Sequence, residues 1–168
     1  MATVAHVPNI AAGSIMEYVR RVDTNDPTNS AIVIVLFSTG DSVANMRDFD
    51  SVSAILAGAS VESNFTNYAR TVLTDTDIAS PTIDDTGNDA NWDLADQSPL
   101  ISSAGGASNE DIDMVVFAYD PDSTGGTDAD LIPIYFCLDD GAAALQTTNG
   151  SDLNLVINVS GVFTATPS

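Results

Sequence analysis

Nucleophilic catalysis needs a positioned imidazole beside a hydroxyl or a thiol, and this chain of 168 residues offers one histidine, His6, and one cysteine, Cys137. His6 lies two residues before Pro8 in a segment without a clear period and reads as a surface residue. Cys137 stands in the apolar run 131–138 and reads as a small packing residue rather than a nucleophile. One His and one Cys fall short of a four-ligand zinc site unless Asp completes it, and Asp oxygen suits harder cations. A single cysteine excludes an internal disulfide, and a lone thiol suits synthesis in a reducing cytoplasm.

Carboxylates, by contrast, are abundant: 24 Asp and Glu stand against 4 Arg and no Lys, giving a formal charge of −20 at pH 7. Paired carboxylates for glycoside hydrolysis can be drawn almost anywhere in such a chain, so that pattern has no specificity. Trp92, beside Asp93 and Asp96, could floor a sugar site, but packing is the ordinary use of a lone tryptophan. Calcium has the best local pattern. Asp120, Asp122, Thr124 and Gly125 follow the first half of an EF-hand loop, and Asp128 and Asp130 add hard oxygen ligands. Position 12 of that loop is Leu131, where a bidentate Glu belongs, so a solvated loop between strands is the simpler reading and a calcium site the alternative. No other cofactor is expected. Gly105-Gly106 and Gly125-Gly126 lack the Lys and the helix of a phosphate loop. The Asn-x-Ser/Thr triplets at Asn64, Asn149 and Asn158 matter only in a secretory pathway.

The same charge excludes partners. Neutralising phosphates requires a cluster of Lys or Arg, so neither nucleic acid nor an anionic membrane is an expected partner. Asp favours turns, and net charge keeps particles apart; such self-repulsion is best tolerated in high salt, where the Debye length falls to about 3 Å at 1 M. The four arginines are rare cations able to hold a carboxylate in a fork. Arg47 and Arg70 are expected to pair within the chain, and Arg20 or Arg21 to lie at a subunit contact.

These side chains must be positioned by one domain, since a chain of this length buries roughly 70% of its unfolded surface. Its longest apolar run, 31–37, is far short of the ~20 residues of a membrane-spanning helix. Residues 1–12 carry no Lys or Arg ahead of a long apolar stretch, so no secretory signal is expected and the mature chain should start near Met1. Residues 1–13 read as an extended N-terminal arm, and 14–168 as a single β-rich domain. Alternation of Ile15, Glu17 and Val19 with Met16 and Tyr18 predicts a first strand over 14–22, closed by the turn-rich run 23–29. The run 31–37 predicts a central strand buried on both faces. One short α-helix is expected over 49–57, capped by Asp48 and ended by Gly58. Further strands are expected over 67–74, 112–119, 131–138, 153–159 and 161–165. Short joints rich in Asp, Gly, Asn, Ser and Thr separate them, at 75–77, 84–91, 98–110, 120–130 and 139–152. Many short strands with one helix predict an antiparallel β-sandwich or barrel.

With these elements placed, the chain resembles an uncharacterised family of tailed-bacteriophage virion proteins, akin to capsid decoration (cement) proteins. The resembling residues are Asn67-Tyr68-Ala69-Arg70, then Ile83-Asp84-Asp85-Thr86 with Asn88, then Tyr119-Asp120-Pro121 through Gly125-Gly126-Thr127-Asp128-Ala129 to Ile132-Pro133. Asn149-Gly150-Ser151-Asp152-Leu153 and Gly161-Val162-Phe163 follow, while 98–109 departs from the pattern. The resemblance implies a non-enzymatic protein, made in the host cytoplasm, that binds the major capsid protein on the outer surface of the head and ties neighbouring subunits together. It also implies self-association as a symmetric homo-oligomer, a trimer being one such arrangement. Val4, Val7 and Ile10 of the arm would supply apolar and backbone contacts to a neighbour. A tail or head-to-tail connector protein and a calcium-binding adhesive module are the alternatives, with an Asp-dependent hydrolase behind them.

Overall fold

The computed structural model describes residues 3–86, 89–92, 94–139, 144–156 and 163–165; expectations placed on Asn88, Asp93, Asn158 and Gly161-Val162 lie outside the described residues. Four elements open the chain: β1 (Thr3–His6), a 3-10 turn (Asn9–Ala11), α1 (Ile15–Asp23) and β2 (Ala31–Thr39). Two short helices, α2 (Val43–Asp48) and α3 (Val52–Ala57), precede β3 (Val61–Glu62) and β4 (Thr71–Leu73). Next come β5 (Thr82–Asp84), β6 (Asp89–Trp92), β7 (Gln97–Ile101), β8 (Asp111–Ile112) and β9 (Met114–Asp120). β10 (Ile132–Asp139), β11 (Gln146–Thr147), β12 (Leu153–Leu155) and β13 (Phe163–Ala165) complete the order.

The chain is mainly β and its strand pairings are antiparallel. The main sheet runs β1-β10-β9-β2, and β3 and β4 share the far side of β2. Successive residues of a strand point to opposite faces, and here both faces are apolar. Ile32, Ile34 and Leu36 of β2 join Phe117, Tyr119 and Ile134 under α1, Phe65, Trp92 and Leu94. Val33, Val35 and Phe37 join Val116, Ala118 and Phe136 under Met46 of α2 and Val52 and Ile55 of α3. Each fully buried side chain of this size contributes roughly 1.5–3 kcal/mol, which is why the 31–37 run occupies the middle of the molecule. The smaller sheets are β13-β6-β5, β12-β7 and β11-β8. The main sheet runs from edge to edge without closing, and no second large sheet faces it among the described residues.

The structure corrects four local expectations. The segment 14–22 is helix α1, because Ile15, Val19 and Val22 are the buried residues and their spacing is helical, with Glu17, Arg20 and Arg21 on the wet side. The expected arm is an edge strand of the main sheet: β1 pairs with β10 from Thr3↔Asp139 to His6↔Phe136, and Ala11 is buried behind it. The single expected helix is replaced by three, with α3 inside the expected span. Ser51 caps α3 by accepting the Ala54 N–H, and Ser42 caps α2 through Asn45 N–H, whereas Asp48 ends α2 instead of starting a helix. Gly58 does follow α3, but at φ −81° it is not a left-handed cap. The expected strand 67–74 contracts to β4, because Asn67 turns the chain at φ +70°. Among the described residues no helix is long and apolar enough to cross a membrane.

Candidate functional site

A connected polar cluster lies where β3 and β4 flank β2. β4 covers β2 from Ile32↔Leu73 to Ile34↔Thr71, and β3 covers Phe37↔Glu62 and Thr39↔Val61, leaving a gap between them. Side chains and a loop amide close that gap. The Leu36 N–H donates to the Tyr68 hydroxyl at 3.3 Å, and the Leu36 carbonyl accepts from the Ser63 N–H at 2.9 Å. The Tyr68 hydroxyl in turn donates to Glu62 Oε1 at 2.8 Å. Arg70 grips Glu62 as a fork, Nε to Oε1 and Nη2 to Oε2, both at 2.7 Å. Its other side bonds Asp128, including Nη2 to Oδ2 at 3.3 Å. Paired first with Glu62 and then with Asp128, the Arg70 guanidinium is pushed to still higher pKa despite its burial. Burial, and then the Glu62 carboxylate, push the Tyr68 hydroxyl up as well.

Asp128 ties this clamp to the acidic loop that the calcium pattern singled out. The backbone carbonyls of Asp128 and Leu131 each accept a first-turn N–H of α3, from Ser53 and Val52, at 2.9 Å. The other carboxylates of the pattern turn onto their own loop. Asp122 Oδ1 accepts from Thr124 N and Oγ1 at 3.1 and 2.6 Å, and Asp130 Oδ2 from Thr127 N and Oγ1 at 2.8 and 3.0 Å. Gly126 supplies the positive φ, +85°, that the turn between them requires. Asp120, at the buried end of β9, accepts the Asp122 N–H at 3.0 Å. Burial raises its carboxyl above the ordinary range; the Asp122 N–H offsets part of that, and the like charges of Asp122 and Asp130 add to it. Asp122 itself is held low by the Thr124 hydroxyl and N–H. The four aspartates are thus distributed among separate tasks, and among the described residues no three His, Cys, Asp or Glu side chains are gathered to hold a metal.

The residues expected at an interface lie apart from this cluster. Val4 pairs through its backbone with Leu138, Val7 is half-buried against the core under α1, and Ile10 remains 38% exposed on the 3-10 turn. Arg20 and Arg21 both bond Glu17 at 3.0 Å on the wet face of α1, and together they hold its carboxyl below the usual range. Arg47, expected to pair within the chain, is exposed and has no ion-pair partner among the described residues. His6 packs its ring against Phe136 at 5.3 Å. Burial pushes the Cys137 thiol up, the direction of an unreactive packing residue. Trp92 is fully buried in the core under α1, so packing is its place, and its indole N–H has no hydrogen-bond partner among the described residues. Glu62 and Tyr68 are the cluster members that no local pattern marks, since their partners come from β2 and from a loop far along the chain.

Fold and site therefore define a mainly β, antiparallel domain in which Arg20, Arg21 and Arg70 are paired with carboxylates of their own chain. No family model matches the chain, and comparison with curated proteins and with solved structures likewise finds no match.

Proposed function

We propose that this chain is a non-enzymatic structural protein of a tailed-bacteriophage virion, a decoration protein that binds the major capsid protein on the outer surface of the head and stabilises the shell. The observation that supports the non-enzymatic part of this reading is the use of the charged side chains. Glu17, Glu62, Asp120, Asp122, Asp128 and Asp130 hold arginines, hydroxyls or backbone N–H groups of their own chain, so they serve shape. The motif resemblance through 119–133 and 149–153 supplies the virion assignment, and the −20 charge suits an outward surface that keeps particles dispersed.

The test is addition of the purified protein to heads that lack it, followed by sedimentation and heating. Saturable binding that raises the rupture temperature is the expected result. Because residues 3–6 form an edge strand of the main sheet, deleting the N-terminus would remove part of the sheet along with any tether, so point variants on the surface are the proper controls. Binding to tails or connectors in place of heads transfers the protein to that assembly. A melting temperature raised markedly by calcium, with no head binding, replaces the reading with the adhesive module.

A further inference from the structure

The chain holds one Asn-Gly step, Asn149-Gly150, exposed in the loop between β11 and β12. That loop is fastened to the segment 103–110. The Thr148 N–H donates to the Glu110 carbonyl at 2.9 Å, the Thr148 hydroxyl accepts the Glu110 N–H at 2.8 Å, and Asp152 Oδ1 accepts the Ser103 N–H at 2.8 Å. Between these bonds the Gly150 N–H donates to the Ala104 carbonyl at 2.7 Å, and the Ala104 N–H to the Ser151 carbonyl at 2.9 Å. Gly150 is held at φ +90°, and a Cβ on it would stand 3.2 Å from the Gly106 Cα, so the close approach of the two segments calls for glycine. Asn149 Oδ1 accepts the Ser151 N–H at 3.0 Å, which folds the side-chain amide back over the Gly150 peptide.

We infer that Asn149 is a self-modification site, sealed while the loop 148–152 is docked and open when it lifts. The reaction is deamidation. The Gly150 nitrogen gives up its proton and attacks Asn149 Cγ; the new C–N bond closes a succinimide ring, the Cγ–Nδ2 bond breaks, and ammonia leaves with the proton. Water then opens the ring at either carbonyl, leaving aspartate or isoaspartate, so solvent is the only co-reactant. The fold sets the two reacting groups in opposite states. The electrophile is ready, because the Ser151 N–H polarises the side-chain carbonyl and the exposed loop admits water. The nucleophile is blocked, because its N–H is engaged by Ala104, and removing that proton would set an anion against a carbonyl oxygen. The same close approach that calls for glycine at 150, and so leaves its nitrogen without a shielding side chain, is what seals it. Isoaspartate adds one carbon to the main chain, and either product adds a negative charge near Asp152, so a loop that reacts to isoaspartate no longer redocks in register. The site therefore records, irreversibly, that the loop has lifted. The inference concerns the protein alone and does not depend on the virion reading.

The test is incubation of the full chain in mildly alkaline buffer, folded and in urea, with mass spectrometry that locates the modified residue and separates isoaspartate from aspartate. In urea Asn149 should be the first asparagine to react. In the folded chain its rate should fall by at least about tenfold, because reaction then waits on a local opening. The Gly150 amide should be protected from hydrogen exchange to the same degree. Asp152→Ala takes away the acceptor of the Ser103 N–H and should speed the folded-state reaction about fivefold, the effect of one lost hydrogen bond on a local opening. Each rate is divided by that of the same variant in urea, which removes any influence of the Asp152 charge on the chemistry itself. Asp152 is exposed, and circular dichroism verifies that the variant is folded. Asn149→Gln should abolish the signal in both states and so fix its origin. Equal rates in the folded chain and in urea, a different asparagine reacting first in urea, or an Asp152→Ala variant no faster than wild type would each overturn the sealed site.

Discussion

The two sides of β2 solve one problem differently. Toward β9 the strand is matched by seven consecutive pairs, from Ala31↔Asp120 to Phe37↔Met114, without a shift of register. Toward the outside it is matched by two fragments, and the interval between them is closed by the Tyr68 hydroxyl, the Ser63 N–H and the Arg70 fork. Both arrangements satisfy the backbone, as buried backbone requires. They differ in what solvent can do to them. The β9 side is shielded by apolar layers on both faces, whereas Arg70, Glu62 and Asp128 keep 25%, 22% and 38% of their side chains exposed, within reach of water and salt.

The largest expected effect lies on the continuous side. Phe117→Ala removes a buried ring paired with Ile34 and should cost about 3–5 kcal/mol by denaturant titration, with the whole domain unfolding together. Arg70→Leu should cost less, about 1–3 kcal/mol, because Glu62 and Asp128 recover some water when the fork is lost, unlike a fully buried pair. Hydrogen exchange should then accelerate in β3 and β4 while β9 stays protected. Equal acceleration in β9 would mean that the two sides act as one unit and that the contrast is false. Tyr68→Phe removes the hydroxyl that serves Leu36 and Glu62, for about 1 kcal/mol, and the Leu36 amide should exchange faster. Asp120→Asn has the smallest effect and the opposite sign. Asp120 has a raised carboxyl in the folded state, so its ionised form opposes folding as pH rises through that raised value, and the penalty is absent below the unfolded carboxylate value of about 3.9. Asn keeps an acceptor for the Asp122 N–H; the variant should melt higher than wild type at neutral pH and gain nothing once the solution is acidic enough to protonate Asp120 in both states.

The sequence makes the continuous side legible and hides the stitched one. The run 31–37 and the strands within 112–119 and 131–138 are long, β-branched and apolar, so their own composition marks them. α1 was misleading because a helix of nine residues, Ile15–Asp23, also alternates over five of them, and only burial of Ile15, Val19 and Val22 separates the two periods. β1 is short and its partner lies near the far end of the chain, so its membership in the sheet leaves no local trace. α2 has six residues and too few turns to show a period. The acidic loop was legible as a loop, but the purpose of its carboxylates was not. Whether an Asp meets a cation, a hydroxyl or its own backbone is decided by how residues 120–130 fold onto α3 and Arg70. The pairing of Arg70 followed from charge scarcity, and the same logic failed for Arg47.

Trp92 is the chain's only tryptophan, and it is fully buried in the core on the α1 side of the main sheet. That placement gives the molecule a built-in optical reporter of one layer. Its emission should be blue-shifted in the folded state and move to the red when that layer admits water, even while the face under α2 and α3 stays dry. Far-ultraviolet circular dichroism, which weighs every peptide, would follow the whole. The two signals together distinguish a domain that opens as one body from one that opens leaf by leaf.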